Sequence, residues 1–332
     1  MVVSMRNVVK RYGEHLALDN ATLEVDRAEI FGLLGPNGAG KTTAIRILTG
    51  LQSADSGTVS LFGTTPRSTA ASVRGASGPD RDARRRIGLA PQEPAIFEDL
   101  TTWENLRFFG GLYGLRGAEL NRACTEALEL SGLEEEKRTY PRAFSGGLKR
   151  RLNIACALVH RPDLVILDEP TVGVDPQSRN RILDQVRNLS ARGVTVIYAS
   201  HYLAEVQALC TTVGIMDRGR VIVQGTIHEL ISRLDSEERI RLVLDRPSPG
   251  VTQRLAALKG VLHCRWEEGA LVLSAEPGQV RIARVVEAVA HVGVEVIHAE
   301  MVRPGLEDLF LAFTGRRLPR EGEGAGAGEG EE

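Results

Sequence analysis

The stretch GPNGAGKTT, Gly35 to Thr43, decides how this chain folds. Before it stands EIFGLLG (29–35), an apolar run of strand length that ends on a glycine; after it, KTTAIRILTGL (41–51) takes up helical periodicity. A glycine-rich turn between a strand and a helix is the context that a phosphate-binding loop requires. Successive backbone N–H groups and the helix N-terminus converge on the anion, and glycines let the backbone approach it closely. Gly35, Pro36, Asn37, Gly38, Ala39, Gly40, Lys41, Thr42 and Thr43 are therefore candidate nucleotide-binding residues. Lys41 would neutralise the β and γ phosphates, and Thr42 would offer its hydroxyl to Mg²⁺. The competing reading, a glycine-rich turn with an incidental lysine, leaves the matched strand and helix on either side unexplained.

Further along, LVILDEP (164–170) carries Asp168 and Glu169 to the end of a continuous apolar run. Such a run suits a strand buried on both faces of a parallel sheet, and open α/β sheets place ligands at the C-terminal ends of their strands. Asp168 is then a candidate Mg²⁺ ligand and Glu169 the residue that orients or activates the attacking water. Alone, an Asp-Glu-Pro after a strand is more often a turn; its weight comes from the phosphate loop. A second phosphate-facing surface is suggested by FSGGLKRRL (144–152), in which Ser145, Gly146 and Gly147 open the helical run LKRRLNIACALV.

Composition narrows the class. A chain of 332 residues with 42% hydrophobic and 25% charged residues suits two domains with full cores. A net charge of -2 offers no strongly basic field, so no nucleic-acid partner is expected. No apolar run approaches the ~18–20 residues of a membrane span, and the N-terminus lacks a basic start followed by a long apolar core. Cys124, Cys156, Cys210 and Cys264 are widely separated, without paired metal-ligand spacing, which suits a reducing compartment and small buried apolar roles.

Organisation along the chain is legible. Residues 2–9, 21–25, 57–62 and 194–200 pattern as strands, and helices follow from about 101, where Thr101 and Glu104 have capping-box spacing. Residues 64–86, ending in Arg84, Arg85 and Arg86, pattern as a surface insertion whose arginines could touch lipid headgroups, a partner or only water, the last being the usual case for a charge run in a loop. After a polar stretch at 226–238 the order β-α-β-β-α-β-α resembles a split βαβ, ferredoxin-like unit. The expected division is 1–228, 229–317 (a small α+β accessory domain) and 318–332, an acidic, glycine-rich tail too polar to pack.

Residues 1 to about 228 resemble the ATPase subunit of an ABC transporter, on the motifs GPNGAGKTT, PQEP, FSGGLKRR, LVILDEP, VGVD and ASHYL. The resemblance implies an α/β, P-loop NTPase core with a parallel sheet, an antiparallel β subdomain and a helical subdomain. It also implies ATP and Mg²⁺ as cofactors. Tyr12 matches the aromatic that stacks on adenine, Gln92 the glutamine contacting Mg²⁺ and water, and His201 the switch histidine that reads the γ-phosphate. With Lys41 and Glu169, His201 completes the catalytic set. Asp175 falls at the family's dimer-contact aspartate, and Ser145, Gly146 and Gly147 would complete the nucleotide site of a second copy of the chain. Phe144 and Leu148 depart from the family's usual leucine and glutamine. Singly, Tyr12 would pass for packing, Gln92 for a loop residue and His201 for a satisfied polar group; their ordered spacing argues otherwise.

The stretches SGGLKRR, DEPTVGVDP and PGLEDLFLAFTGR look like bacterial exporters of drugs, antibiotics and polysaccharides, the daunorubicin-resistance-like group. That resemblance implies a homodimer that powers export of a drug, antibiotic, lipid or polysaccharide through a separate transmembrane permease, at the cytoplasmic face of the cell membrane. Three rivals stand beside it. A translation-associated ABC ATPase would carry two P-loops in tandem, and a repair ATPase would need a long heptad insertion. A nucleotide-binding regulatory or drug-sequestering protein would not need Glu169 and His201.

Overall fold

The computed structural model describes residues 1–64, 81–232, 234, 237–267, 269–276, 278–302 and 305–315. Most of the expected 64–86 insertion and all of the expected tail lie outside them. Among the described residues the chain divides into two compact units, Met1–Ile227 with the residues after Ala312, and His228–Ala312.

The first unit starts with β1 (Val3–Tyr12), β2 (His15–Val25), β3 (Ile30–Leu34), α1 (Lys41–Leu48) and β4 (Ser56–Leu61). There follow α2 (Arg81–Arg85), β5 (Ile87–Ala90), α3 (Thr102–Leu112), α4 (Gly117–Ser131) and α5 (Gly146–Leu158). It continues through β6 (Leu164–Asp168), α6 (Pro176–Ala191), β7 (Thr195–Ser200), α7 (Leu203–Leu209), β8 (Thr212–Asp217) and β9 (Arg220–Thr226). The expected α/β architecture is present. An antiparallel sheet has the order β2-β1-β4, and a six-stranded sheet the order β5-β6-β7-β3-β8-β9. Its strands run parallel from β5 to β8, and β9 pairs antiparallel with β8.

β3, β6 and β7 are buried along their whole length, which is why their sequences are continuous apolar runs rather than alternating ones. β2 begins well before the expected Ala21, because Gly13 at φ +58° allows a tight turn that pairs Tyr12 with His15. β5, β8 and β9 were not legible. β5 is four residues long, and the apolar pattern of β8 is broken in sequence by Gly214, where a Cβ would lie 2.8 Å from the Phe31 ring.

One core joins the antiparallel sheet, α1 and β3 through Met5, Leu18, Leu23, Phe31, Ile45 and Leu48. Each such side chain contributes roughly 1.5–3 kcal/mol by leaving water. A separate core holds α3, α4 and α5 together through Leu106, Leu120, Cys124, Leu128, Leu152 and Cys156, forming the helical subdomain. The substitutions Phe144 and Leu148 are explained here, since both pack on this cluster. Burial pushes the Cys124 thiol up to about 11, as suits an apolar filler. The capping box at Thr101 and Glu104 is present, with the Thr101 N–H donating to Glu104 Oε2 at 2.8 Å and the Glu104 N–H to Thr101 Oγ1 at 3.3 Å.

The arginine run differs from expectation. Arg84 and Arg85 end the short helix α2, but Arg86 does not simply face water: its Nε donates to Asp163 Oδ2 at 2.5 Å and its guanidinium lies 3.8 Å from the Phe62 ring centroid. It joins the start of β5 to the turn before β6.

His160, between α5 and β6, provides a pH test of this unit. Its ring stacks on Tyr113 at 3.5 Å, Nε2 lies 3.0 Å from the Ile87 carbonyl oxygen, and Nδ1 is buried without a partner. Burial pushes its pKa from 6.5 down to about 4, so between those values the unfolded chain binds a proton that the folded chain refuses. The stabilisation is complete above pH 6.5 and is lost as pH falls toward 4, with a magnitude of up to about 3 kcal/mol. Urea melts across that range should fall more steeply for the wild-type chain than for His160→Gln; equal slopes would contradict the assignment.

The second unit contains most of α8 (Ile227–Ser232), then β10 (Glu238–Leu244), α9 (Pro249–Ala256), β11 (Val261–Glu267), β12 (Ala270–Ala275), α10 (Ile282–Ala290), β13 (Val296–Val302) and most of α11 (Leu306–Thr314). Its four-stranded sheet has the order β11-β12-β10-β13 with every pairing antiparallel. Ile240, Leu242, Leu271 and Leu273 of the sheet share a core with Val251 and Leu255 of α9 and Val285 and Val289 of α10.

Candidate active site

The loop between β3 and α1 is shaped by two glycines that tolerate no side chain. A Cβ on Gly35 would lie 2.4 Å from the Met216 carbonyl oxygen, and one on Gly40, at φ +103°, would lie 2.7 Å from the Ala17 carbonyl oxygen. Gly40 is the N-cap of α1 and offers no side-chain acceptor, so the helix presents its first N–H groups uncapped by a side chain. That is an anion-attracting terminus.

Register brings the other site residues to the same sheet edge. Leu34 at the end of β3 pairs with Ser200 at the end of β7, and Asp168 at the end of β6 pairs with Ala199. Lys41 Nζ donates to the carbonyl oxygens of Gly35 at 2.6 Å and Pro36 at 3.1 Å, and lies 3.1 Å from Glu169 Oε1. The other carboxylate oxygen, Oε2, is 2.7 Å from His201 Nδ1. Lys41, Glu169 and His201 thus form one continuous chain of contacts.

Glu169 is 4% exposed and sits at φ +51°, a left-handed conformation that a non-glycine residue adopts at a cost. Such strain persists where the surroundings over-determine it, here through the Glu169 N–H donating to the Ala199 carbonyl at 2.9 Å. Burial raises the Glu169 pKa, but contact with His201 and the charges of Lys41 and His201 outweigh it and hold the carboxyl below its usual value. Its neighbour goes the other way. Burial raises Asp168, the hydrogen bond from Thr42 opposes it, and the adjacent Glu169 charge adds to the rise.

Thr42 Oγ1 donates to Asp168 Oδ2 at 2.9 Å, while Asp168 Oδ1 is buried with no hydrogen-bond partner. A hydroxyl and a carboxylate oxygen with an unused lone pair form an all-oxygen donor set, which fits Mg²⁺.

A cleft of about 270 Å³ opens over this edge, lined by Pro36 to Thr43 together with Tyr12, His15, Ala17, Gln92 and Glu169. Tyr12 is 43% exposed, with its hydroxyl donating to Gln52 Oε1 at 2.6 Å. His15 and Ala17 were missed in sequence, since they reach the cleft only by the β1–β2 hairpin. Arg150 was also missed. Its guanidinium donates to the carbonyl oxygens of Gln92 and of Val172, at 3.4 Å for the latter, joining α5 to the segments after β5 and β6.

Ser145, Gly146 and Gly147 do not line this cleft. Ser145 and Gly146 are exposed, and Ser145 is the N-cap of α5, its Oγ accepting from the Leu148 N–H at 3.4 Å. A Cβ on Gly147 would lie 2.3 Å from Ser178 Oγ, so this glycine lets α5 approach α6. Asp175 is exposed and caps α6, its Oδ1 accepting from the Ser178 N–H at 2.9 Å. Side-chain and backbone hydrogen bonds from Ser178 hold its carboxyl below the usual value.

The family model "ABC transporter" matches residues 18–172. The linearmycin resistance ATP-binding protein of Bacillus subtilis (strain 168) is 39% identical over 320 residues, covering 96% of this chain and 99% of that protein. The Nod factor export ATP-binding protein I of Ralstonia nicotianae is 36% identical over 321 residues, covering 96% and 95%. Among solved structures, an ATP-binding subunit of an ABC transporter superposes with a TM-score of 0.61 at 30% identity, covering 70% of this chain and 93% of that one. A dimeric ATP-binding cassette in a post-hydrolysis state with ADP and phosphate gives a TM-score of 0.59 at 25% identity, covering 68% and 98%.

Proposed function

The chain belongs to the ABC transporter family as an ATP-binding, ATP-hydrolysing subunit, and on that premise we propose that two copies close around two ATP molecules and power export through a separate permease. The observation that carries the hydrolytic reading is the Lys41–Glu169–His201 chain at the mouth of the phosphate loop. Lys41 and the first N–H groups of α1 hold the β and γ phosphates. Glu169, its carboxyl held below its usual pKa by contact with His201 and the charge of Lys41, positions the attacking water and accepts its proton, and His201 contacts the γ-phosphate. Thr42, Asp168 and Gln92 would hold Mg²⁺, which when bound neutralises phosphate charge.

Ser145 and the N-terminus of α5, exposed and outside the chain's own cleft, would face the γ-phosphate held by the second copy, with Asp175 at the contact between copies. Among the described residues no helix is long and apolar enough to cross a membrane, which suits a subunit docked on a permease at the cytoplasmic face. Export of a drug, antibiotic, lipid or polysaccharide is favoured because relatives named for linearmycin resistance and Nod factor export match along nearly the whole chain. The second unit, from about 229 to 317, would be a ferredoxin-like accessory domain that stabilises the dimer.

Purifying the chain with its permease in vesicles and identifying what ATP drives across the bilayer tests this reading. Movement toward the side bearing the ATP-binding subunit would overturn export. At the adenine end of the cleft, Tyr12→Ala should weaken ATP binding by about 1–3 kcal/mol, the range for base–aromatic stacking, with little change in maximal rate. Unchanged affinity in equilibrium titrations would return Tyr12 to a packing role.

A further inference from the structure

Besides Asp168 and Glu169, a further carboxylate is buried close to the segments that carry the site. Glu205, in the first turn of α7, is 4% exposed. Its Oε2 accepts from the Tyr198 hydroxyl at 2.7 Å, from Thr171 Oγ1 at 2.8 Å and from Ser200 Oγ at 3.4 Å. Its Oε1 lies 3.4 Å from Arg179 Nε. The three hydroxyl residues are themselves buried, at 0% for Tyr198, 1% for Thr171 and 2% for Ser200. A carboxylate taken this far from water persists only if its lone pairs are used, and buried hydroxyls likewise need partners, so each group requires the others.

The partners come from segments that carry the site. Thr171 stands two residues after Glu169, and Ser200 immediately before His201. Arg179 lies on α6, whose N-cap is Asp175. Ser200 Oγ also accepts from the Tyr202 N–H at 2.9 Å, so one hydroxyl holds the backbone on both sides of His201. The Gly35 N–H donates to the Ser200 carbonyl at 3.4 Å, which ties the same residue to the start of the phosphate loop. Glu205 does not line the nucleotide cleft and therefore acts through others.

We propose that Glu205 is a positioning residue for hydrolysis: by gathering Thr171, Tyr198, Ser200 and Arg179 it fixes the backbone around His201 and keeps that ring against Glu169. The proposal rests on the reading that Glu169 and His201 act on bound ATP. In Glu205→Gln the side chain keeps its size but loses its charge, and one acceptor oxygen becomes an NH₂ among groups that must donate.

Pre-steady-state hydrolysis by the full-length chain at saturating ATP, with equilibrium ATP binding measured beside it, provides the test. Glu205→Gln should slow the chemical step by about 10–100-fold, the scale on which remote misplacement acts, with ATP affinity changed by less than about twofold. Tyr198→Phe, which removes one donor and keeps the ring packing, should slow it in the same direction by less. The deciding readout is the background. In His201→Ala the further loss caused by Glu205→Gln should shrink to under about threefold, because a residue that works through His201 has nothing left to position.

Equal losses in both backgrounds, or a wild-type rate in Glu205→Gln, would overturn the proposal. If Glu205→Gln does not fold, Tyr198→Phe in the same two backgrounds decides it by the same criterion. Glu169→Gln separates the underlying reading: wild-type hydrolysis there removes that reading, whereas an inactive Glu169→Gln beside an unimpaired Glu205→Gln removes only the positioning role.

Discussion

Glu169→Gln should bind ATP as the wild-type chain does and hydrolyse it about 10²–10⁴-fold more slowly, the contribution of a positioned general base. The carboxylate is buried, its pKa is held below the usual value by His201 and Lys41, and its two oxygens are held by contacts with those same residues. Glutamine has the same length and no proton-accepting power. With the γ-phosphate retained, the proposed two-chain sandwich should accumulate, and size-exclusion chromatography with saturating ATP would show it. Adding Ser145→Arg should prevent that dimer, because a bulky side chain at the exposed start of α5 fills the space a partner's phosphate would need. A Glu169→Gln chain that stays monomeric both alone and assembled with its permease would end the sandwich reading, though not the ATPase assignment.

Lys41→Ala should abolish measurable turnover and weaken ATP binding together, which distinguishes it from Glu169→Gln. In the proposed reading the ammonium would be the counter-charge where phosphate charge accumulates, and removing one such preorganised group costs about 10²–10³-fold in rate. It is also the partner of Glu169, at 3.1 Å, with both side chains 5% exposed. Without it the carboxylate is left buried beside Asp168 with only His201 to offset it, and breaking a buried pair from one side costs about 3–5 kcal/mol of stability. Fluorescent-nucleotide titration and thermal unfolding would read the two effects separately. Full turnover in Lys41→Ala would remove the phosphate-loop assignment.

The phosphate loop and the strands around it were legible because their chemistry is local. GPNGAGKTT needs only its own glycines and the helix that follows, and LVILDEP and VTVIYAS show burial on both faces by having no polar alternation. β5, β8 and β9 were not legible, since short strands and a glycine that yields space to Phe31 carry too little pattern. Arg86 belonged by its neighbours to a solvated charge run, and only the fold supplied Asp163 and Phe62.

What the sequence by itself determined is which residues are candidates for chemistry: a glycine-rich loop at Gly35–Thr43 proposed to cradle phosphate, a carboxylate pair at Asp168 and Glu169, and an ordered series of motifs from Tyr12 to His201. Which of them meet was decided by the sheet order. β7 is inserted between β3 and β6, so the ends of three strands distant in sequence lie side by side and Lys41, Glu169 and His201 come within contact. Strand order is set by which apolar faces bury one another across the whole unit, and no local pattern encodes it. The same holds for Glu205, an unremarkable helix residue in the sequence, whose role comes from four partners that tertiary packing alone gathers around it.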